Sequence, residues 1–129
     1  MRVDNLINTL IEEFSIYNKE ILQAFRKIDR RLFLPEEYSK VAFVNRALPV
    51  MNGQTSTKPS TIGRFLTIIK PSKDKVILEL GTGSGYQSAI LSELFGKVIT
   101  WEVDKELCEW SSQRLKKYKN IECHCGNLL

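Results

Sequence analysis

Apolar positions recur at helical spacing through the first half of the chain and gather into short strand-length runs through the second. From Val3 onward, Leu6, Ile7, Leu10, Ile11 and Phe14 recur three and four residues apart, with Asp4 placed to cap them, and this predicts an amphipathic helix. A second helix is predicted behind Asn18 as its cap, with Ile21, Leu22, Phe25 and Ile28 as the buried stripe and Pro35 ending helical structure around Leu34. Residues 45–60 lose this period. Asn45, Pro49, Asn52, Gly53, Pro59 and the cluster Thr55-Ser56-Thr57 predict a loop rich in small hydroxyl side chains. Ile62, Phe65, Leu66 and Ile69 predict a short helix, left through Lys70-Pro71-Ser72-Lys73-Asp74.

Val76-Ile77-Leu78-Glu79-Leu80 is an apolar, β-branched run of strand length, and Tyr86 to Leu94 reads as a helix closed by Gly96. A strand from Val98 to Glu102, a helix from about Lys105 to Lys117 and a strand from Asn120 to Cys125 follow. This alternation predicts an α/β fold of parallel strands joined by right-handed crossovers, the first three strands of a doubly wound, Rossmann-like sheet. A chain of 129 residues, 43% hydrophobic and 26% charged, suits one domain. Its regions are 1–70, helical and loop-bearing, and 71–129, the sheet half.

The 19 basic and 15 acidic residues leave a net charge of +4 spread along the chain, so no block has the character of a nucleic-acid arm, and nucleic-acid partners are not expected. Glu12 and Glu13 interrupt the N-terminal apolar run, and no segment is long enough to span a membrane. Three cysteines in a chain without a disulfide-dense composition predict free thiols in a reducing compartment, the cytoplasm. Cys123-His124-Cys125 with Cys108 does not predict a zinc site, because alternation on a strand turns His124 away from the two cysteines. Trp101 and Trp110 read as core aromatics ahead of ligand-wall ones.

Directly after the first strand stands Gly81-Thr82-Gly83-Ser84-Gly85, opening the following helix. Glycine is needed where a Cβ would block both a tight turn and the approach of a ligand to the backbone. The alternate spacing departs from the dinucleotide fingerprint and leans toward S-adenosylmethionine over NAD. Glu102 ends the second strand about 17 residues beyond the last glycine, where a carboxylate accepts hydrogen bonds from both hydroxyls of an adenosine ribose. Glu79 lies inside a buried strand and is expected to face the ligand end, since an unpaired interior carboxylate is costly.

Val76 through Ala89, with Gly85-Tyr86-Gln87 directly after the turn, resembles the first motif of the protein-L-isoaspartate O-methyltransferases. Arg31 to Pro35 resembles a shortened form of the family's Arg-x-x-Phe-x-Pro theme. Ala47-Leu48-Pro49 and Gly53-Gln54-Thr55-Ser56-Thr57-Lys58-Pro59 resemble its Ala-Leu-Pro and Gly-Gln-Thr-Ile-Ser-Gln-Pro segments. The resemblance runs from about Ala24 to the C-terminus and covers the family's N-terminal portion, so the chain reads as truncated.

The resemblance implies methyl transfer from S-adenosylmethionine to the side-chain carboxylate of L-isoaspartyl residues in damaged proteins, a repair reaction yielding S-adenosylhomocysteine. Thr57 stands at the family's active-site serine and is the expected catalytic residue, with Thr55, Ser56 and Thr57 binding the substrate. Glu79, Gly81, Thr82, Gly83, Ser84, Gly85, Gln87, Glu102 and Asn127 are the expected cofactor contacts, Asn127 replacing the aspartate that meets the adenine amine in the family. A methyltransferase with another acceptor, and a non-catalytic remnant or interaction module, stay open beside this reading. In a doubly wound sheet the glycine strand is central. Here residues 76–80 are expected at an edge, covered by a second copy of the chain or by a rearranged N-terminal segment.

Overall fold

In the computed structural model, which describes residues 2–128, an N-terminal helical layer packs against the helices that cover a small parallel sheet. The chain runs through α1 (Val3–Phe14), α2 (Lys19–Lys27), two 3₁₀ turns at Arg30–Phe33 and Glu36–Val41, and a short hairpin of β1 (Leu48–Pro49) and β2 (Thr55–Ser56). Then come α3 (Pro59–Ile69), β3 (Val76–Leu80), α4 (Tyr86–Leu94), β4 (Lys97–Glu102), α5 (Lys105–Leu115) and β5 (Ile121–Cys125).

Caps explain several of these boundaries. Asn18 accepts hydrogen bonds from the backbone N–H groups of Glu20 and Ile21, and Asp104 accepts from Leu107, so both satisfy orphan donors of a first turn. Asp4 is not a cap. It lies in the first turn of α1, and its carboxylate takes a hydrogen bond from Arg26 of α2. α2 ends at Lys27, well before Pro35, because Ile28 turns extended and Asp29 caps a new 3₁₀ turn by accepting from Arg31 N–H. Gly96 does not close α4 in a left-handed turn either. A Cβ there would overlap the Lys73 carbonyl, so this glycine permits a close crossing of two backbones.

β3, β4 and β5 are parallel in the order β3-β4-β5, with Ile77 opposite Val98 and Val98 opposite Ile121. Both crossover helices lie on one face, as right-handed connections running in one direction require. That face carries Glu79, Val98, Thr100 and Glu102, all buried, whereas Val76, Leu78 and Leu80 on the other are 62%, 52% and 54% exposed. One core cluster unites Leu6, Leu10, Phe25, Phe33, Leu66, Tyr86, Ile90 and Val98 across the helices and the sheet. The edge position of β3 agrees with expectation, but the N-terminal segment does not cover it: β3 pairs with β4, while α2 packs on α4 and α1 on α2 and α3.

Cys108 of α5 and Cys125 at the end of β5 form a disulfide, which corrects the expectation of three free thiols; Cys123 is the free one, its thiol pK raised by burial. Their spacing of 17 residues carried no signal, and the packing of α5 on β5 brings the pair together. Trp101 and Trp110 are not core residues: Trp101 is half-buried and stacks on His124 at 4.5 Å, and Trp110 is half-buried beneath Arg114. No helix among the described residues is long and apolar enough to cross a membrane.

Candidate functional site

The glycine turn leaves β3 and enters α4 through three left-handed backbones, Gly81, Gly83 and Gly85, with φ of 97°, 57° and 93°. At Gly81 and Gly83 a Cβ would meet nothing within 4 Å, so these positions open onto free space at the carboxyl ends of the strands. Gly85 differs, since a Cβ there would press on Phe33 and Leu115 at 3.3 Å. Its role is packing beneath the turn, and it does not line the cavity described next.

A cavity of about 210 Å³ lies against the turn. One wall is Gly81, Thr82, Gly83 and Ser84, with Glu79, Gln87 and Glu102; the other is Gln54, Thr55, Ser56, Thr57 and Ile62. The fold thus brings together segments about 25 residues apart that the sequence placed in one site. Asn127 lies apart from them, in a smaller hollow of about 80 Å³ with Leu80, Trp101, Val103 and Leu128. Gly81 borders both spaces, so they adjoin.

Glu102, 5% exposed, accepts Gly83 N–H on Oε1 at 2.9 Å and Asp104 N–H on Oε2 at 3.0 Å. It therefore ties the turn to the end of β4 while each oxygen keeps a lone pair. Glu79, 6% exposed, accepts hydrogen bonds from the hydroxyls of Ser88 and Thr100 and from the Gln87 amide at 2.9 Å. Thr100 gives its one proton to Glu79, so the Thr82 hydroxyl, 2.6 Å away, must be the donor to Thr100. Ser88 and Thr100 were missed in the sequence. The β3–β4 register sets Thr100 opposite Glu79, a pairing that strand alignment alone could have suggested.

Burial lifts the Glu79 carboxyl above its ordinary value of 4.5; the three donors oppose the shift and Glu102 adds to it. Between 4.5 and the folded value the unfolded chain holds fewer protons than the folded one, so the contribution to stability is full below 4.5 and is lost as pH rises through the folded value. Glu79→Gln is expected to remove this downward slope. Urea midpoints of both proteins between about pH 4 and pH 8 check it, and parallel profiles would contradict it.

The hydroxyl-rich segment is a hairpin with Leu48 opposite Ser56. At its tip Asn52, in a left-handed conformation, donates to both carboxylate oxygens of Asp104 at 3.3 and 3.0 Å and to Glu106 at 2.8 Å, latching the hairpin to the start of α5. Thr55 and Thr57 are exposed on the cavity wall. Ser56 is 3% exposed, its hydroxyl meeting Arg30 at 3.3 Å and Ser84 at 3.5 Å, so its polar atom is committed to the framework. The arginine heading the Arg-x-x-Phe-x-Pro theme is Arg30, with Phe33 and Pro35 at full spacing; Arg31 faces outward onto Asp29.

Residues 1–127 match the sequence model of the protein-L-isoaspartate(D-aspartate) O-methyltransferases. Among curated relatives, a protein-L-isoaspartate O-methyltransferase of Aliivibrio salmonicida is 38% identical over 116 residues, covering 90% of this chain and 55% of its own. One from Dictyoglomus thermophilum is 36% identical over 120 residues, covering 92% and 54%. The chain spans about half the length of these relatives. A solved protein-L-isoaspartate O-methyltransferase superposes with a TM-score of 0.82 at 24% identity, covering 97% of this chain and 42% of that one. A Plasmodium falciparum structure described by the same activity, in complex with S-adenosyl-L-homocysteine, gives 0.74 at 16% identity over 95% and 62%. At these identities the likeness carries the fold, an incomplete Rossmann-like α/β sheet.

Proposed function

The chain belongs to the protein-L-isoaspartate(D-aspartate) O-methyltransferase family, and from that premise we propose that it transfers a methyl group from S-adenosylmethionine to the side-chain carboxylate of L-isoaspartyl residues in damaged proteins. The single observation that supports this reading is the shared cavity, which Thr55 and Thr57 line together with the glycine turn and Glu102.

The residues present suit the proposed cofactor. Gly81 and Gly83 leave the space a Cβ would enter, Glu102 keeps acceptor capacity for ribose hydroxyls, and the adjoining hollow offers Trp101 and Val103 as apolar walls with Asn127 for an adenine amine. Gly81, Thr82, Gly83, Ser84, Gln87 and Glu102 would hold its methionine and ribose parts, with Glu79 fixing Gln87 and Thr100 behind them. When bound, S-adenosylmethionine supplies a methyl group on a sulfonium centre. An acceptor carboxylate with a pKa of about 4 is ionised at neutral pH, so no side chain has to act as a base. Thr57 donates its hydroxyl to the acceptor and turns the attacking oxygen toward the methyl group, which is catalysis by orientation.

Incubation of the chain with labelled S-adenosylmethionine and paired isoaspartyl and aspartyl peptides tests the reading. Methylation confined to the isoaspartyl peptide supports it; no transfer, or transfer to both alike, ends it. Thr57→Ser is expected to keep at least the parent rate, since the hydroxyl stays and a methyl group is removed. Thr57→Val is expected to lower kcat/KM by about 10- to 100-fold through loss of one hydrogen bond to a charged group. Equal rates for both variants would remove Thr57 from the mechanism.

The cytoplasmic setting is proposed from the family alone; the Cys108–Cys125 disulfide removes the thiol argument for it, because disulfides persist in oxidising compartments. A second copy of the chain along β3 belongs to the proposal too, supported by the edge of β3 that no described strand pairs and by the exposed Val76, Leu78 and Leu80 beside it. Light scattering should then give a dimer, and a monomer with rapidly exchanging amides at Ile77 and Leu78 would refute it.

A further inference from the structure

Behind the Thr55–Thr57 segment stands a guanidinium fully shielded from solvent, Arg30 of the first 3₁₀ turn, with no carboxylate of the described residues in hydrogen-bond contact. We propose that Arg30 is a positioning residue for methyl transfer, setting the acceptor segment, and Thr57 with it, at a fixed distance from the glycine turn. This rests on the reading of the cavity given above.

One terminal nitrogen donates to the carbonyls of Ala42 and Val44, both at 3.2 Å. The other donates to Arg46 O at 2.8 Å, to the carbonyls of Ser56 and Thr57 at 3.5 and 3.4 Å, and to Ser56 Oγ at 3.3 Å. The planar fork thus gathers two stretches of chain, 42–46 and 56–57, onto one rigid group. Its face lies 5.4 Å from the ring centroid of Tyr86, the first residue of α4 after the glycine turn. Ser56 Oγ in turn meets Ser84 Oγ at 3.5 Å within that turn. Arg30 is therefore tied to both walls of the cavity while contributing no atom to its lining.

A packing role does not account for this placement. A buried charge without a counter-ion is more costly than an apolar side chain of similar volume. Burial pushes the Arg30 pKa down to about 10, so the charge persists at neutral pH, and Nε is left without a partner. What arginine adds to a hydrophobic residue is a fixed convergence of carbonyls from separate segments, the last of them Thr57's own. Misplacing a reacting group by about 1 Å costs roughly 100-fold in rate, so a group that fixes this distance controls turnover without touching substrate.

The test compares the full chain with Arg30→Met, Arg30→Lys and Ser56→Ala, the last removing only the hydroxyl link. Residue-resolved hydrogen exchange, calorimetric titration with S-adenosylhomocysteine and methyl-transfer kinetics are read on each. In Arg30→Met, exchange at Thr55–Thr57 is expected to rise at least about tenfold, while Ile90 and Val98 keep parental protection and S-adenosylhomocysteine affinity stays within about threefold. kcat should fall about 100-fold, with Arg30→Lys recovering about a tenth of the parent rate. Unchanged exchange and kcat would overturn the proposal, as would exchange rising equally throughout the sheet, the mark of a global loss of stability. Should Arg30→Met not fold, Arg30→Lys and Ser56→Ala carry the same comparison with smaller shifts in the same direction. If the parent chain transfers no methyl group, the functional reading fails on its own; flat exchange at Thr55–Thr57 would then refute the anchoring by Arg30 separately.

Discussion

Glu102→Ala is expected to weaken S-adenosylhomocysteine binding by about 100-fold. The carboxylate already accepts Gly83 N–H and Asp104 N–H, one on each oxygen, so its position is fixed before any ligand arrives. Its side chain lines the cavity shared with the glycine turn, and each oxygen keeps a lone pair. Two hydrogen bonds from ribose hydroxyls to a charged acceptor are worth about 1.5 kcal/mol each at the low end, and about 3 kcal/mol is roughly two decades of affinity. Glu102→Gln keeps one acceptor oxygen and should lose about tenfold. Calorimetric titration measures both. Parental affinity in the alanine variant would remove Glu102 from the cofactor site, and a parent that shows no heat at millimolar ligand would remove the cofactor itself.

Phe33→Ala is expected to cost about 3–5 kcal/mol of folding stability, the range for deleting a large aromatic side chain from a packed core. Phe33 is fully buried, with ring centroids of Tyr86 and Tyr118 at 6.2 and 6.5 Å, and its ring edge lies 3.3 Å from where a Cβ on Gly85 would stand. The same ring thus fills the core and floors the glycine turn. Against a total of about 5–15 kcal/mol for an ordinary domain, the loss is severe. Urea unfolding should show a lower midpoint at unchanged slope. Saturating S-adenosylhomocysteine should restore part of it by mass action if the cavity binds that ligand. A loss below about 1 kcal/mol would mean that the site collapses without leaving a void.

The sequence made the elements that depend on local chemistry legible. Val76–Leu80 is bounded as read, since β-branched residues between a charged turn and a glycine turn leave one option, and Asn18 caps α2 because a side-chain acceptor acts within three residues. Features set by contacts distant in sequence were not legible. Gly96 looks like a helix stop in one dimension, yet it is required by the Lys73 carbonyl that crosses it. Arg30 and Arg31 are equivalent neighbours in the sequence; the phase of the 3₁₀ turn sends one inward to five carbonyls and the other outward to Asp29. Ser56 shares a hydroxyl cluster with Thr55 and Thr57, but strand alternation buries it and commits its hydroxyl to Arg30 and Ser84 while the two threonines stay exposed. Nor does the sequence show that a Cβ on Gly85 would press on Phe33 and Leu115, or that Asn127 lies in a hollow adjoining the main cavity.

The Asn52 latch bears on the order in which the molecule assembles. Adjacent strands of the sheet pair residues 21 to 23 apart, Ile77 with Val98 and Val98 with Ile121, whereas the Asn52–Asp104 contact closes a span of 52 residues. Loop closure grows more costly with span, by about 0.8 kcal/mol between these lengths, and the hairpin's two-residue strands return little of it before the sheet exists. In a folding chain the glycine cradle is therefore expected to precede the segment that roofs it, giving hairpin residues small φ-values and β3 and β4 large ones.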